Sequence, residues 1–402
     1  MTALVVGFVA GAALLWLSVF GYLLALAVLA GRRRWRQRPA GELPPIAVLM
    51  ATLNEIARID AKLADLARCD YPAGRLRIVI IDGGSTDGTV ARIEAARAAG
   101  APIELLRAPH TGSKLEQLRY GLEAIDEELV VTTDADSTLD PGCIRALVAL
   151  LVADPTTAVV GARVRPDTAL LEERIYWWFL DILWWLEGEA LSAAVVSGVC
   201  YAVRRRIVLD TPRVAGADDI LFALAAGAHG HGVRICRAAG AMETRVPHTV
   251  AEFVSFRRRR GAGYFGALRA PLPASGINGW RVARAVRLFH FVVSPLAVAG
   301  VGAAGLALCA TGHWRWPLIA AAACALPVVA ALYGSRTLAA LDARRWQLGM
   351  AALRLVGLVW LSLLMTPRDM PPSPRRLATG AAARGADTAT PADSPRSSAS
   401  EP

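Results

Sequence analysis

Charge is missing from the start of this chain: between Ala3 and Ala30 there is no Asp, Glu, Lys or Arg. Such a stretch does not make a solvated surface, but it is long enough to cross a bilayer. A cleavable leader is not expected, because its positive charge would precede the apolar run. Here Arg32-Arg-Arg-Trp-Arg-Gln-Arg38 follows it. Cysteine is scarce, with six in 402 residues (Cys69, Cys143, Cys200, Cys236, Cys309, Cys324), no CxxC pair and no metal-ligand spacing. Neither a disulfide framework nor a zinc site therefore organises the fold. Charged residues make up only 19% against 54% hydrophobic, a balance that points to membrane segments beside a globular part. The net charge of +10 is no nucleic-acid signature, since much of it lies in arginine clusters flanking apolar segments. Anionic membrane lipid is the natural partner there.

By the positive-inside rule, residues 1–31 are expected to be a transmembrane anchor with the N-terminus outside and the following domain cytoplasmic. Residues 286–366 hold two to three further membrane helices. Leu288–Ala310 and Pro317–Tyr333 read as spans, and Trp346–Met365 is a third candidate. Arg354 interrupts that third segment, so its helix either snorkels the arginine or lies partly in the interface. Three spans put Arg336, Arg344 and Arg345 inside but carry the arginine-containing tail outside, which the rule disfavours. Residues 367–402, rich in Pro, Ala, Ser and Thr, read as disordered. The expectation is an integral, multi-pass protein of the cell (plasma) membrane with its globular domain in the cytoplasm.

Residues 44–270 follow another pattern. Apolar runs at Ile46–Met50, Arg77–Ile81, Ile103–Leu106 and Leu129–Val131 alternate with helical stretches. Fully apolar strands in a βαβα series predict an α/β domain whose sheet is covered on both faces. In such sheets ligands bind outside the carboxyl ends of the strands. A polar cluster follows three of these strands: Thr52-Leu-Asn54-Glu55, Asp82-Gly-Gly-Ser-Thr-Asp-Gly88 and Asp134-Ala-Asp136. Side chains two apart on a strand end point the same way, so Asp134 and Asp136 converge. A hard divalent cation bridging a diphosphate would relieve their repulsion. A surface turn is the plainer reading of that pair alone. Gly112-Ser-Lys114 lacks the upstream glycine of a P-loop.

Taken in order, these motifs resemble a family-2 glycosyltransferase with the GT-A nucleotide-diphospho-sugar fold, a Rossmann-like mixed sheet. The features are those of the cellulose synthase, hyaluronan synthase and ceramide glucosyltransferase group. The match covers roughly Pro45 to Tyr264. Ile80-Ile-Asp-Gly-Gly-Ser-Thr-Asp-Gly-Thr89 departs from the family turn only in Gly83, which replaces a second Asp. The resemblance implies that Thr52, Asn54, Glu55 and Asp82 line the floor of a site for a nucleotide sugar, most simply UDP-linked. It also implies that Lys114 neutralises phosphate and that Asp134 and Asp136 hold Mg²⁺ or Mn²⁺. Asp87 reads instead as a helix cap.

Ser197-Gly-Val-Cys-Tyr-Ala-Val-Arg-Arg205 resembles the family strand whose backbone, at Gly198, lies near the donor sugar. Ala217-Asp218-Asp219 resembles its Thr-Glu-Asp motif, which makes Asp219 the general base and puts Asp218 in the glutamate position. Phe253 to Tyr264 lies where the family carries Gln-x-x-Arg-Trp, but the glutamine position reads Arg257 and the tryptophan position Gly261. The missing tryptophan favours one transfer to a lipid or lipid-linked glycan over processive polymer synthesis. Arg258 and Arg260 are expected at the diphosphate, on a helix that also suits a membrane surface. Trp177, Trp178, Trp184 and Trp185 share a helical face, suited either to the interface or to packing on membrane helices. An inactive, glycosyltransferase-like membrane scaffold is the alternative from another class.

Overall fold

The computed structural model describes residues 1–32, 41–109, 113–191, 195–211, 216–272, 278–334 and 343–365. The expected basic cluster after Arg32, together with Gly112, Arg336 and the tail from residue 366, lies outside the described residues.

One sheet of eight strands forms the centre. The strands are β1 (Ile46–Thr52), β2 (Leu76–Asp82), β3 (Ile103–Arg107), β4 (Leu129–Thr133), β5 (Ser137–Leu139), β6 (Thr157–Pro166), β7 (Cys200–Arg204) and β8 (Gly232–Glu243). Their spatial order is β3-β2-β1-β4-β7-β6-β8-β5. β1 pairs in parallel with β2 and β4, and β2 with β3. Every residue of β1 and β4 is buried, as expected where both faces are covered. β7 runs antiparallel to β4 and β6, so the sheet is mixed and the parallel pattern read from the first half does not continue.

The crossovers are helical: α1 (Thr2–Trp16) and α2 (Tyr22–Arg32) precede the sheet, joined by the π turn Leu17–Gly21. α3 (Ile59–Ala67), α4 (Thr89–Ala98), α5 (Lys114–Glu123) and α6 (Cys143–Ala153) follow β1, β2, β3 and β5. α7 (Leu171–Leu191), α8 (Arg205–Leu209) and α9 (Asp218–Ala228) come before β8, and α10 (Val250–Leu268) after it. α11 (Asn278–Ala310), α12 (Arg315–Gly334) and α13 (Arg345–Leu364) close the described chain.

Among the described residues three helices are long and apolar enough to cross a membrane: Thr2–Arg32, Gly279–Ala310 and Arg345–Leu363, with Arg315–Ala331 a shorter apolar helix. α7 is the joint between these and the sheet. Its Glu187 accepts from Tyr22 Oη of α2 at 2.8 Å and pairs with Arg287 of α11, while Glu173 pairs with Arg257 of α10. Trp177 and Trp184 are buried. They meet edge to face at 6.1 Å inside the core, so their shared face is a packing face, and Trp185 packs partly buried against the same core.

Candidate active site

Parallel pairing brings the polar ends of the strands to one edge. Thr52 of β1 is in register with Asp82 of β2, and β4 ends beside them at Thr133. Because β7 is antiparallel, its beginning reaches the same edge, and the Asp134 N–H donates to the Val199 carbonyl at 3.1 Å. The end of β8 arrives from the other side, where the Thr244 N–H and Oγ1 donate to the Asp136 carbonyl at 3.1 and 2.8 Å. Beneath this turn Lys62 of α3, 1% exposed, donates to Thr133 Oγ1 and to the Ser137 carbonyl and hydroxyl, each at 3.0 Å. Asp65 balances its charge at 3.3 Å. The acidic turn is thus fixed from three sides, so its carboxylates are set before anything binds.

Lys114, the first residue of α5, joins that turn to the start of α9. Ser113 caps α5, accepting from the Glu116 N–H, and this aims Lys114 inward. Its Nζ stands 2.7 Å from Asp134 Oδ1 and 3.2 Å from Asp218 Oδ2, and donates to the Gly198 carbonyl at 3.1 Å. Burial alone would lower the Lys114 pKa, but Asp134 and Asp218 hold it raised. The buried Tyr201 hydroxyl donates to Asp218 Oδ2 at 2.7 Å. Asp219 is next along the helix. Burial, and after it the adjacent Asp218 charge, pushes its carboxyl up to about 7 against the pull of Lys114 and Arg260. A carboxyl poised near neutrality is suited to moving a proton.

Arginines line the other side. Arg245 Nε lies 3.0 Å from Asp136 Oδ2, and its NH2 reaches both oxygens of the buried Glu55 at 2.8 and 2.7 Å. Arg260 pairs with the buried Glu243. Arg259 has no carboxylate partner among the described residues; burial and then the charges of Arg260 and Arg245 lower its pKa. With Arg245, Phe256 and Glu252 it lines a cavity of about 320 Å³.

The floor residues are arranged less openly than expected. Thr52 is fully buried, its hydroxyl turned to the Ile81 carbonyl at 3.4 Å. Asn54 adopts φ 57 and accepts from the Thr86 N–H, a turn role such residues fill readily. Asp82 accepts from the N–H groups of Gly84 and Ser85, and Glu55 is held by Arg245. Asp87 accepts from the Thr89 N–H, while the cap position itself falls on Gly88 at φ 96. Arg258 is a correction: its Nε donates to the Met365 carbonyl at the end of α13, a fixture of that helix. Sequence reasoning missed Lys62, Tyr201, Glu243 and Arg245. Only the position of Glu243 and Arg245 at and just after a strand end would have signalled them.

Among the described residues no group of three or more His, Cys, Asp or Glu side chains is set to hold a metal. Asp134 and Asp136 supply hard oxygen donors, and their side chains are 23% and 17% exposed. Mg²⁺ and Mn²⁺ suit such oxygen donors, and Mg²⁺ typically takes one or two carboxylates beside substrate phosphate and water. The pair fits a cation that arrives with a phosphate.

Residues 47–205 match the model for glycosyl transferase family 2, and residues 129–335 that for glycosyl transferase family group 2. The lipopolysaccharide core biosynthesis glycosyltransferase LpsC of Rhizobium meliloti is 34% identical over 120 residues, 30% of this chain and 41% of that protein. A beta-monoglucosyldiacylglycerol synthase of Nostoc sp. is 31% identical over 156 residues, 38% of this chain and 32% of its own. The chain thus spans less than half the length of these relatives. Among solved structures, mannosyltransferase PcManGT from Pyrobaculum calidifontis, in complex with GDP-Man and Mn²⁺, superposes with a TM-score of 0.65. It is 23% identical, with 88% of this chain and 99% of that one covered. That likeness shows a shared GT-A fold.

Proposed function

The chain belongs to glycosyl transferase family 2, and from that membership we propose a membrane-bound, inverting transferase. It moves a hexose or N-acetylhexosamine from a nucleotide-diphospho-sugar, most simply a UDP-sugar, to a lipid or lipid-linked acceptor. The observation that carries this is the lysine bridge, in which Lys114 contacts both Asp134 and Asp218. It puts the acidic turn, the Gly198 backbone and the Asp218–Asp219 helix start within one residue's reach.

In this reading Asp134 and Asp136 hold Mg²⁺ or Mn²⁺ with the donor diphosphate. When bound, that cation supplies Lewis-acid stabilisation to the departing diphosphate. Lys114 and Arg260 add fixed positive charge beside the same group, which is effective because it needs no reorganisation during reaction. The turn at Asp82, with Thr52, Asn54 and Glu55 beneath it, forms the floor for the nucleoside. Asp219 takes the proton from the acceptor hydroxyl as its oxygen attacks the anomeric carbon. Asp218, tied to Tyr201 and Lys114, keeps that helix start in place and raises its neighbour's proton affinity. Lipid acceptors are named for the diacylglycerol synthase relatives, and long apolar helices at both ends agree with an acceptor drawn from a bilayer.

The test offers membranes containing the protein a panel of labelled nucleotide sugars and extracts the lipid fraction. Label must appear as a short, discrete product, and must vanish with EDTA and in Asp219→Asn. A ladder of long chains would replace single transfer by processive synthesis, and full activity of Asp219→Asn would remove the base.

A further inference from the structure

Taking as its premise that the chain is a membrane protein, we infer that α13 lies along the membrane surface, with its apolar outer face resting in the lipid interface. The chain beyond Met365 is then on the same side as the catalytic domain. This replaces the expected third crossing.

Both halves of α13 are held to catalytic-domain elements. Near its start Leu348, Ala351 and Leu355 pack with Ile175 of α7 and Phe253 of α10. In its middle Arg354 pairs at 2.8 Å with Glu172 of α7, which is only 1% exposed. At its end the Met365 carbonyl accepts from Arg258 of α10 at 2.9 Å. An upright helix of this length rises ~30 Å, which is the full hydrocarbon thickness. Its far end would then stand well away from the domain it left. Instead that end meets Arg258, one of four consecutive arginines whose charges are too costly to carry to the far side of a bilayer.

The faces of α13 agree. Leu348, Ala351, Leu355 and Ser362 are buried, whereas Trp346, Met350, Leu353 and Val356 are 64%, 53%, 63% and 54% exposed. Steps of three and four place the exposed set on one stripe. Its window of mean hydropathy, 1.4, is lower than the 2.3 and 2.0 of the other two long apolar helices. α13 also packs against α11 and α12, whose own apolar side chains Leu296, Leu318 and Leu326 are 67%, 58% and 70% exposed. The cover for these side chains is lipid, and the stripe of α13 continues it at the level where a tryptophan such as Trp346 is favoured. With α11 crossing and α12 returning, the arginine-containing tail falls on the side that the positive-inside rule prefers.

The test uses the full-length chain with reporters placed after Pro402 and, separately, in the α11–α12 turn after Thr311. Fluorescent protein is expected to be bright at Pro402 and dark at Thr311, with alkaline phosphatase giving the opposite. Phosphatase activity at Pro402 overturns the inference. As a second measurement, a nitroxide on Leu353→Cys, with the native cysteines replaced by serine, is expected at headgroup depth; a label at the bilayer centre overturns it. Both readouts are independent of transfer activity. Recovery of the chain in the soluble fraction would sink the membrane premise and this inference together, whereas a wrong reporter side sinks only the inference.

Discussion

Lys114 reaches across the mouth of the sheet to Asp134 at 2.7 Å, and the same ammonium group holds Asp218. One point charge thus balances carboxylates from two separate elements. Lys114→Met keeps the length and removes the charge. Asp134 and Asp218 then lose their shared cation, with Tyr201 still donating to Asp218, a loss of about 1–3 kcal/mol of stability. In the proposed mechanism the charge also faces the leaving group, so kcat/KM should fall roughly a hundredfold or more. Denaturant melts and initial rates on the same preparations measure both. A variant that loses stability but retains its rate would confine Lys114 to scaffolding.

Gly198 sits against that ammonium. A Cβ built there would lie 3.2 Å from both Lys114 Nζ and Asp219 Oδ2, closer than ordinary van der Waals contact. Gly198→Ala should therefore displace the lysine and the base by a few tenths of an ångström without opening the core. The expected outcome is a clear drop in kcat with little change in melting temperature. An unchanged kcat would show that the site tolerates that displacement.

Asp219 ties pH to both rate and stability. Burial and the Asp218 charge hold its folded pKa at about 7, well above the ordinary carboxylate range. The folded state therefore retains a proton that the unfolded chain has already lost, and stability falls as pH rises from near 4 through about 7. Asp219→Asn, which never ionises, should be stabilised relative to the parent above pH 7 and much less at pH 4. With Asp219 as the proposed base, activity runs the other way, since a base works only when ionised: kcat/KM should rise through about pH 7. Asp218→Asn removes a neighbouring negative charge and should move that rise to lower pH. Paired thermal melts and pH–rate profiles check the signs.

Much of this site was legible because a buried parallel strand must end in polar residues at the edge where ligands bind. Thr52, Asp82 and Asp134 each follow such a run, and Asp219 opens a helix in a recognisable order. What was not legible depends on contacts between distant residues. Arg245 meets Glu55 across a separation of 190 positions, and Lys62 meets Ser137 across 75; no local periodicity encodes either. The tryptophan stripe on α7 was visible as a stripe, but its cover was not, because the sheet and the membrane helices offer equally apolar partners. Arg354 raised the same ambiguity in α13, and only its pairing with Glu172 settles what the charge does.

In the proposed site, Arg245 and a divalent cation would compete for Asp136. The guanidinium Nε stands 3.0 Å from Asp136 Oδ2, while its NH2 neutralises Glu55. An oxygen that accepts a charge-assisted hydrogen bond has less electron density for a metal, and a fixed positive charge beside it repels the ion. Arg245→Gln should therefore tighten Mn²⁺ binding several-fold in the absence of donor. The same change removes the nearer of two guanidinium groups beside Glu55, whose side chain is 1% exposed, and leaves Arg58 at 3.7 Å, so stability should fall by about 1 kcal/mol. The double variant Arg245→Gln, Glu55→Gln also removes the carboxylate charge and should regain part of that loss while keeping the tighter metal binding. Mn²⁺ titration followed by paramagnetic resonance reads the affinity directly, without reliance on turnover. Weaker Mn²⁺ binding in both variants would mean that Arg245 orients Asp136 for the ion rather than competing with it.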